Sequence, residues 1–167
     1  MAASSPCPGT WRSLCPANSV VVSEDPYDLR RFEQAQETDY DQALSELQNG
    51  RKRSHWMWYI FPQLEGLGGS WNSVRYSISG IKEAEAYLGH PVLGPRLVTC
   101  AEAVLRHERL TAAEIFGYPD HLKLRSSATL FAGVSPAGSV FHRIFDTFFE
   151  NQPDERTLRM LQPQERT

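Results

Sequence analysis

The apolar residues of this chain recur at helical spacing between glycine and proline stops, and this pattern restricts the fold more than any other feature. Tyr40, Ala43, Leu44 and Leu47 fall at i, i+3, i+4 and i+7, and Gly50 follows as a C-terminal stop. The alternation of apolar and polar residues that is typical of strands is nearly absent. The sequence therefore predicts an all-helical, single compact domain of about seven or eight short helices.

Length and composition agree with one globular domain. The chain has 167 residues, of which 41% are hydrophobic and 22% charged, and a chain of this size buries about two thirds of its unfolded surface. No apolar run approaches the roughly 20 residues that cross a bilayer, and the N-terminus lacks the pattern of a secretory signal. The three cysteines show no spacing that is typical of disulfide frameworks or zinc sites. We expect a cytoplasmic protein without a membrane partner.

Composition and helix stops also predict the domain boundaries. Residues 1–24 are rich in Pro, Ser, Ala and Cys without periodicity, which predicts a mobile N-terminal extension. The helical domain is expected over residues 25–162, with a tail at 163–167. The predicted helices are 27–36, Thr38 to Gly50, an aromatic helix of two turns capped by Ser54, 79–89, 92–107, 111–117, 120–132, one that begins at Ser135 and Pro136, and a last turn capped by Asp154.

The segment from Ser54 to Gln63 concentrates aromatic side chains. Five of its ten residues are aromatic or histidine, and the basic run from Arg51 to Arg53, which we interpret as solvated, precedes it. Such a segment is either ordinary core or the wall of a pocket, because each indole, phenol and imidazole needs a polar partner when it is buried. As a pocket wall it would contribute the rings of Trp56, Trp58 and Tyr59.

Polar groups at both ends of this segment are candidates for chemistry. His55 is a candidate general base because an unperturbed histidine titrates near neutrality. The alternative is a hydrogen-bonded core histidine. Gln63 is a candidate ligand-binding residue.

A second candidate site lies in the helix predicted over 120–132. Asp120, Lys123 and Ser127 are spaced i, i+3 and i+7, so a carboxylate, an ammonium and a hydroxyl share one face. Lys123 would hold an anion that Asp120 orients, or the two would act as acid and base. The alternative is a surface ion pair of little energetic consequence. Ser126 and Thr129 are further candidate ligand-binding residues on this helix.

The loop from Gly66 to Ser70 suggests a phosphate cradle, with Ser70 as a binding residue. It lacks the lysine and hydroxyl of a Walker sequence and no strand precedes it, so a flexible connection is the alternative. The histidines are scattered, and neither a metal site nor a cofactor is expected.

A set of short motifs extends over most of the chain. They are Phe32 with Ala35-Gln36, the run Arg51 to Gln63, Gly66-Leu67-Gly68, Glu83-Ala84 with Tyr87-Leu88, Ile115-Phe116-Gly117 with Asp120, and Lys123-Leu124 with Ser126-Ser127 and Thr129-Leu130-Phe131. Taken together, these motifs resemble the uncharacterised domain of unknown function 1810 family over roughly residues 27–161. The resemblance implies an all-helical fold found in bacteria and fungi, sometimes with a calpastatin-like label, and it supplies no catalytic residues.

These observations favour an aromatic-walled pocket for a small anionic ligand, such as a nucleotide or sugar phosphate. If the pocket is an active site, His55, Asp120 and Lys123 are its candidate catalytic residues. The alternative is a protein-interaction module in which the tryptophans and Arg51 to Arg53 form a hot spot. A nucleic-acid partner is not expected because the net charge is −3.

Overall fold

The computed structural model describes residues 24–162. Within this range every regular element is helical, which confirms the all-helical fold, and the helices number nine. They are α1 (Arg30–Gln48), α2 (Met57–Ile60), α3 (Trp71–Arg75), α4 (Ile81–Gly89), α5 (Leu93–Leu105), α6 (Ala112–Phe116), α7 (Asp120–Ala132), α8 (Val140–Phe148) and α9 (Glu155–Leu161). The predicted N-terminal extension and the tail at 163–167 lie outside the described residues.

Helix α5 lies at the centre of the domain. It packs against α1, α4 and α8, while α7 packs against α8 and α9. The apolar face of α5, formed by Leu97, Ala101, Val104 and Leu105, is buried. Burial of each large side chain in this face contributes about 1.5–3 kcal/mol.

Helix α1 is one continuous helix, so the predicted break at Thr38 is wrong. No glycine or proline interrupts the segment, and the buried residues Phe32, Gln36, Ala43 and Leu47 continue one face through it. The helix ends where predicted, because Gly50 adopts a φ of +68° and the Arg51 amide donates to the carbonyl of Glu46.

The aromatic helix α2 is shorter than predicted. It spans four residues and ends before Pro62 as expected, but Trp56 and not Ser54 occupies its N-cap position. Ser54 instead donates its hydroxyl hydrogen bond to Glu46 on α1. The prediction that Ser54 caps a helix of two turns was therefore wrong, because a long-range carboxylate partner replaces the local cap.

Glu46 fixes the segment that leads into α2. Its carboxylate accepts hydrogen bonds from the Arg53 amide at 2.7 Å, the Ser54 amide at 3.0 Å and the Trp56 indole at 2.8 Å. Burial alone would raise the pKa of Glu46, but the hydrogen bond from the Ser54 hydroxyl together with these three outweighs burial and holds the pKa at about 2. One buried carboxylate thus orders the entrance to the aromatic segment.

The glycine-rich segment is a closed loop that contains an unpredicted helix, α3. The Ile78 amide donates to the Gln63 carbonyl and the Glu65 amide donates to the Ile78 carbonyl, each at 2.8 Å, so the two ends of the loop are tied together. Ser70 caps α3 by accepting from the Ser73 amide at 3.2 Å. The loop is therefore positioned and is not only a flexible connection.

Most other predicted helix boundaries are confirmed. Thr111 and Glu114 form the predicted capping box, and Asp154 caps α9 by accepting from the Thr157 amide. The predicted start at Ser135 was wrong, because α8 begins after Ser139, beyond Gly138 with its φ of +77°. No helix in residues 24–162 combines the length and apolar character that crossing a membrane requires.

We predict that Glu46→Gln destabilises the protein at neutral pH by about 1–3 kcal/mol, because amide and indole donors lose a charged acceptor. The folded-state pKa of Glu46 is depressed to about 2 from an ordinary value of 4.5. Its stabilisation is therefore complete above that ordinary value and is lost as the pH falls towards about 2, up to about 3 kcal/mol in total. Urea unfolding across this pH range measures the effect.

The matched control is Glu102→Gln on the exposed side of α5, which should change stability by less than about 0.5 kcal/mol. Wild type and Glu46→Gln should converge in stability at the acidic end. A constant difference at every pH would contradict this role of Glu46.

Gly68 and Gly69 provide a second matched pair. A Cβ at Gly68 would lie 2.8 Å from both the Cβ and the Oγ of Ser73, whereas a Cβ at Gly69 would meet no atom within 4 Å. We expect Gly68→Ala to lower the free energy of unfolding by about 1–3 kcal/mol and Gly69→Ala to change it by less than about 0.5 kcal/mol. If the two variants lower the free energy of unfolding equally in urea, close packing of the loop against α3 does not explain the glycine at position 68.

Candidate functional site

A cleft of about 410 Å³ lies where the loop between α2 and α3 faces the first half of α7 and the start of α9. Five of the residues predicted as site residues line it, and the two motifs that are far apart in the sequence therefore meet. The lining residues are Trp58, Gln63, Leu67, Gly68, Gly69, Ser70, Ser73, Pro119, Leu122, Lys123, Ser126, Asp154 and Arg156.

Lys123 and Trp58 form the wall of this cleft. The Lys123 ammonium lies 4.5 Å from the centroid of the Trp58 ring, within the range of a cation–π interaction. The Lys123 side chain is 22% exposed, and the Trp58 side chain is half-buried. The cation is thus held on an aromatic face at the edge of solvent.

Asp120 joins Lys123 to a second lysine. Its carboxylate binds the Lys123 ammonium at 2.8 Å through Oδ1 and the Lys52 ammonium at 2.7 Å through Oδ2. Burial opposes ionisation of Asp120, but the hydrogen bonds from Lys123 and Lys52 outweigh burial and lower its pKa. We call Lys52, Asp120 and Lys123 the lysine–aspartate cluster. It contains one more charged residue than the surface ion pair of Asp120 and Lys123 that was the alternative interpretation.

Lys52 is the buried member of the lysine–aspartate cluster. Its side chain is only 7% exposed, and its ammonium also donates to the Ser54 carbonyl at 2.6 Å. It lies 5.1 Å from the centroid of the Trp56 ring. The interpretation of Arg51 to Arg53 as a wholly solvated run was therefore wrong for its middle residue, whereas Arg51 and Arg53 are exposed.

Ser126 and Asp154 form the polar floor beside α9. The Ser126 hydroxyl lies 3.2 Å from both the Leu122 carbonyl and the Asp154 carboxylate, which share its one hydrogen. Thr129 accepts a hydrogen bond from the Asp154 amide at 2.8 Å. Arg156, on the exposed side, donates to the Gly66 carbonyl at 3.1 Å and so links α9 to the glycine loop.

Three predicted site residues of the aromatic segment lie outside the cleft lining. His55 is exposed, and its carbonyl oxygen lies 3.4 Å from the Tyr59 hydroxyl oxygen. Trp56 is 1% exposed, with its indole bound to Glu46. The Tyr59 hydroxyl donates to Asp39, and burial followed by this carboxylate raises the Tyr59 pKa. Trp56 and Tyr59 therefore pack in the core.

Three predicted residues of α7 also lie outside the lining. Asp120 is behind Lys123, in contact with both lysines. Thr129 is buried and positions Asp154. Ser127 is 1% exposed, and within residues 24–162 its hydroxyl has no hydrogen-bond partner. The shared helical face therefore brings Asp120 to Lys123 but leaves Ser127 in the interior.

Sequence reasoning missed Lys52 and Arg156 as site residues. Lys52 is hidden in a run of three basic residues, of which only the middle one turns inward. Arg156 stands in a short helix without a motif. Only the fold brings Arg156 to the cleft and Lys52 to Asp120 behind Lys123. No cluster of three or more potential metal-ligating side chains (His, Cys, Asp, Glu) occurs in the part of the chain that the structure describes.

The cleft and its surroundings fall within a stretch shared with other proteins. The chain is similar to a solved protein whose title reads "Crystal structure of the conserved hypothetical protein Rv1873 from Mycobacterium tuberculosis at 1.38 A". The two are 48% identical with a TM-score of 0.80, and the similarity covers 82% of this chain and 98% of the mycobacterial chain. No curated protein matches the chain. The model of the family described as "Protein of unknown function (DUF1810)" matches residues 26–161, and the chain belongs to that family.

Proposed function

We propose that the cleft between the glycine loop and α7 binds a small anionic ligand, such as a nucleotide or a sugar phosphate. Lys123 would receive the anionic group. Ser70, Ser126 and Gln63 would supply hydrogen bonds, and Trp58 would form the apolar wall. The cytoplasmic location expected from the sequence remains a prediction.

The observation that carries the proposal is the placement of Lys123. Its ammonium has three donor hydrogens, and within the described residues Asp120 is its hydrogen-bonding partner. It lies on the Trp58 ring and lines the cleft, so the remaining hydrogens are available to a ligand. A partly desolvated ammonium on an aromatic wall binds an anion more strongly than a solvated surface lysine does.

The shape of the cleft supports a small ligand. Its volume of about 410 Å³ lies at the lower end of the range for small-molecule sites. Gly68 and Gly69 line one side, where the absence of side chains lets a ligand approach the backbone closely. Arg156 stands at the α9 side as a second cation. His55 lies outside the cleft, so the proposal is for binding and assigns no reaction.

The contacts of the tryptophans favour this function over the interaction module. A hot spot formed with Arg51 to Arg53 requires exposed indoles, but Trp56 is 1% exposed and Trp58 is half-buried. The exposed indole in the described residues is Trp71, at 72%. Trp71 is not part of the aromatic segment, so the predicted combination of rings and arginines is not available for a partner.

We expect inorganic phosphate at about ten times its dissociation constant to raise the melting temperature by about 3 °C. Lys123→Met should lose this increase, because it removes the cation but keeps an apolar side chain against Trp58. A thermal-shift titration with sodium phosphate at constant ionic strength measures the effect.

Lys82→Met is the matched control, because Lys82 is an exposed lysine that does not line this cleft. Phosphate also stabilises proteins by exclusion from their surface, but that effect is common to all variants. The proposal predicts a loss of stabilisation in Lys123→Met alone. Equal stabilisation of wild type and both variants would refute it.

A further inference from the structure

We infer that Lys52, which does not line the cleft, fixes the charge of the site so that it selects a single anionic group of the phosphate or carboxylate type over a polyphosphate. This inference rests on the proposed function and names the ligand class of the same cleft. It assigns Lys52 as a positioning and specificity-determining residue that acts through Asp120.

The first step is the contact geometry of the lysine–aspartate cluster. Asp120 binds Lys52 through one carboxylate oxygen at 2.7 Å and Lys123 through the other at 2.8 Å. Without Lys52, the negative charge of Asp120 would be paired with Lys123 alone. The ion pair would then be neutral, and an incoming anion would compete directly with Asp120 for the Lys123 ammonium.

The second step is the burial of the cluster. The side chains of Lys52 and Asp120 are 7% and 18% exposed, so water screens their charges less than it screens surface charges. Lys52 is also fixed by its hydrogen bond to the Ser54 carbonyl at 2.6 Å and by its position 5.1 Å from the Trp56 ring centroid. The position of the Lys52 charge relative to Asp120 is therefore fixed.

The third step counts the charged side chains that line the cleft together with those of the lysine–aspartate cluster. Lys52, Lys123 and Arg156 are cationic, whereas Asp120 and Asp154 are anionic. One net positive charge remains. A single anionic group matches this charge, but a triphosphate would leave most of its charges without partners in a partly dehydrated site.

Equilibrium dialysis with radiolabelled phosphate and tripolyphosphate, at neutral pH and fixed ionic strength, tests the inference. The wild type should bind phosphate at least about threefold more tightly than tripolyphosphate, and Lys52→Met should weaken phosphate binding roughly tenfold. Asp120→Asn adds one net positive charge. It should therefore raise the ratio of tripolyphosphate affinity to phosphate affinity roughly tenfold relative to the wild type.

The double variant Lys52→Met/Asp120→Asn separates charge from structure. It removes one charge of each sign, so the single net charge returns and phosphate affinity should recover to within about threefold of the wild type. Lys52→Arg keeps the charge and should also retain phosphate binding. This variant keeps the inference testable if Lys52→Met does not fold. Lys82→Met should behave as the wild type.

Three outcomes would overturn the inference while leaving the proposed function intact. They are unchanged phosphate affinity in Lys52→Met, recovery in Lys52→Arg but not in the double variant, and a wild-type preference for phosphate over tripolyphosphate of less than about threefold. Absence of binding of either probe to the wild type would instead refute the proposed function, and the inference with it.

Discussion

Two lysines from distant parts of the chain share the carboxylate of Asp120, and the arrangement of the cleft depends on this contact. Lys52 comes from the segment before α2, and Lys123 comes from α7. Each ammonium also lies near an indole ring, Trp56 for Lys52 and Trp58 for Lys123. These ion pairs therefore connect the aromatic segment to α7 in addition to the packing between them. They leave the Lys123 ammonium at the edge of the cleft.

Buried ions are costly, and this fold compensates for them locally. Removing a charge from water costs several kcal/mol unless hydrogen bonds and an opposite charge replace the solvent. The carboxylate of Asp120 has two cationic partners, and Glu46 has amide, hydroxyl and indole donors. Asp120 binds Lys52, and Glu46 binds the residues that follow it up to Trp56, so both carboxylates hold the chain where it enters α2. That segment is consequently rigid enough to serve as one side of a binding site, although its helix is only four residues long.

Local signals were sufficient for most of the fold and for part of the site. The capping box at Thr111 and the cap at Asp154 involve neighbours in the sequence, so their helix starts were predictable. Ser54 had an equally good local signal, but its hydroxyl donates to the Glu46 carboxylate on another helix. Lys123 was found because a helix places it near Asp120. Lys52 was missed because its partner lies far away along the chain, and no local pattern distinguishes an inward lysine from two outward arginines.

The central claim is that a small anion binds against Trp58. The most direct measurement is ¹⁹F NMR of the protein labelled with 5-fluorotryptophan, titrated with inorganic phosphate, with resonances assigned by single tryptophan-to-phenylalanine variants. The Trp58 resonance should shift in a saturable manner, while that of Trp56, which is buried against Glu46, stays in place. An unchanged Trp58 resonance, or a shift confined to the exposed Trp71, would contradict the account.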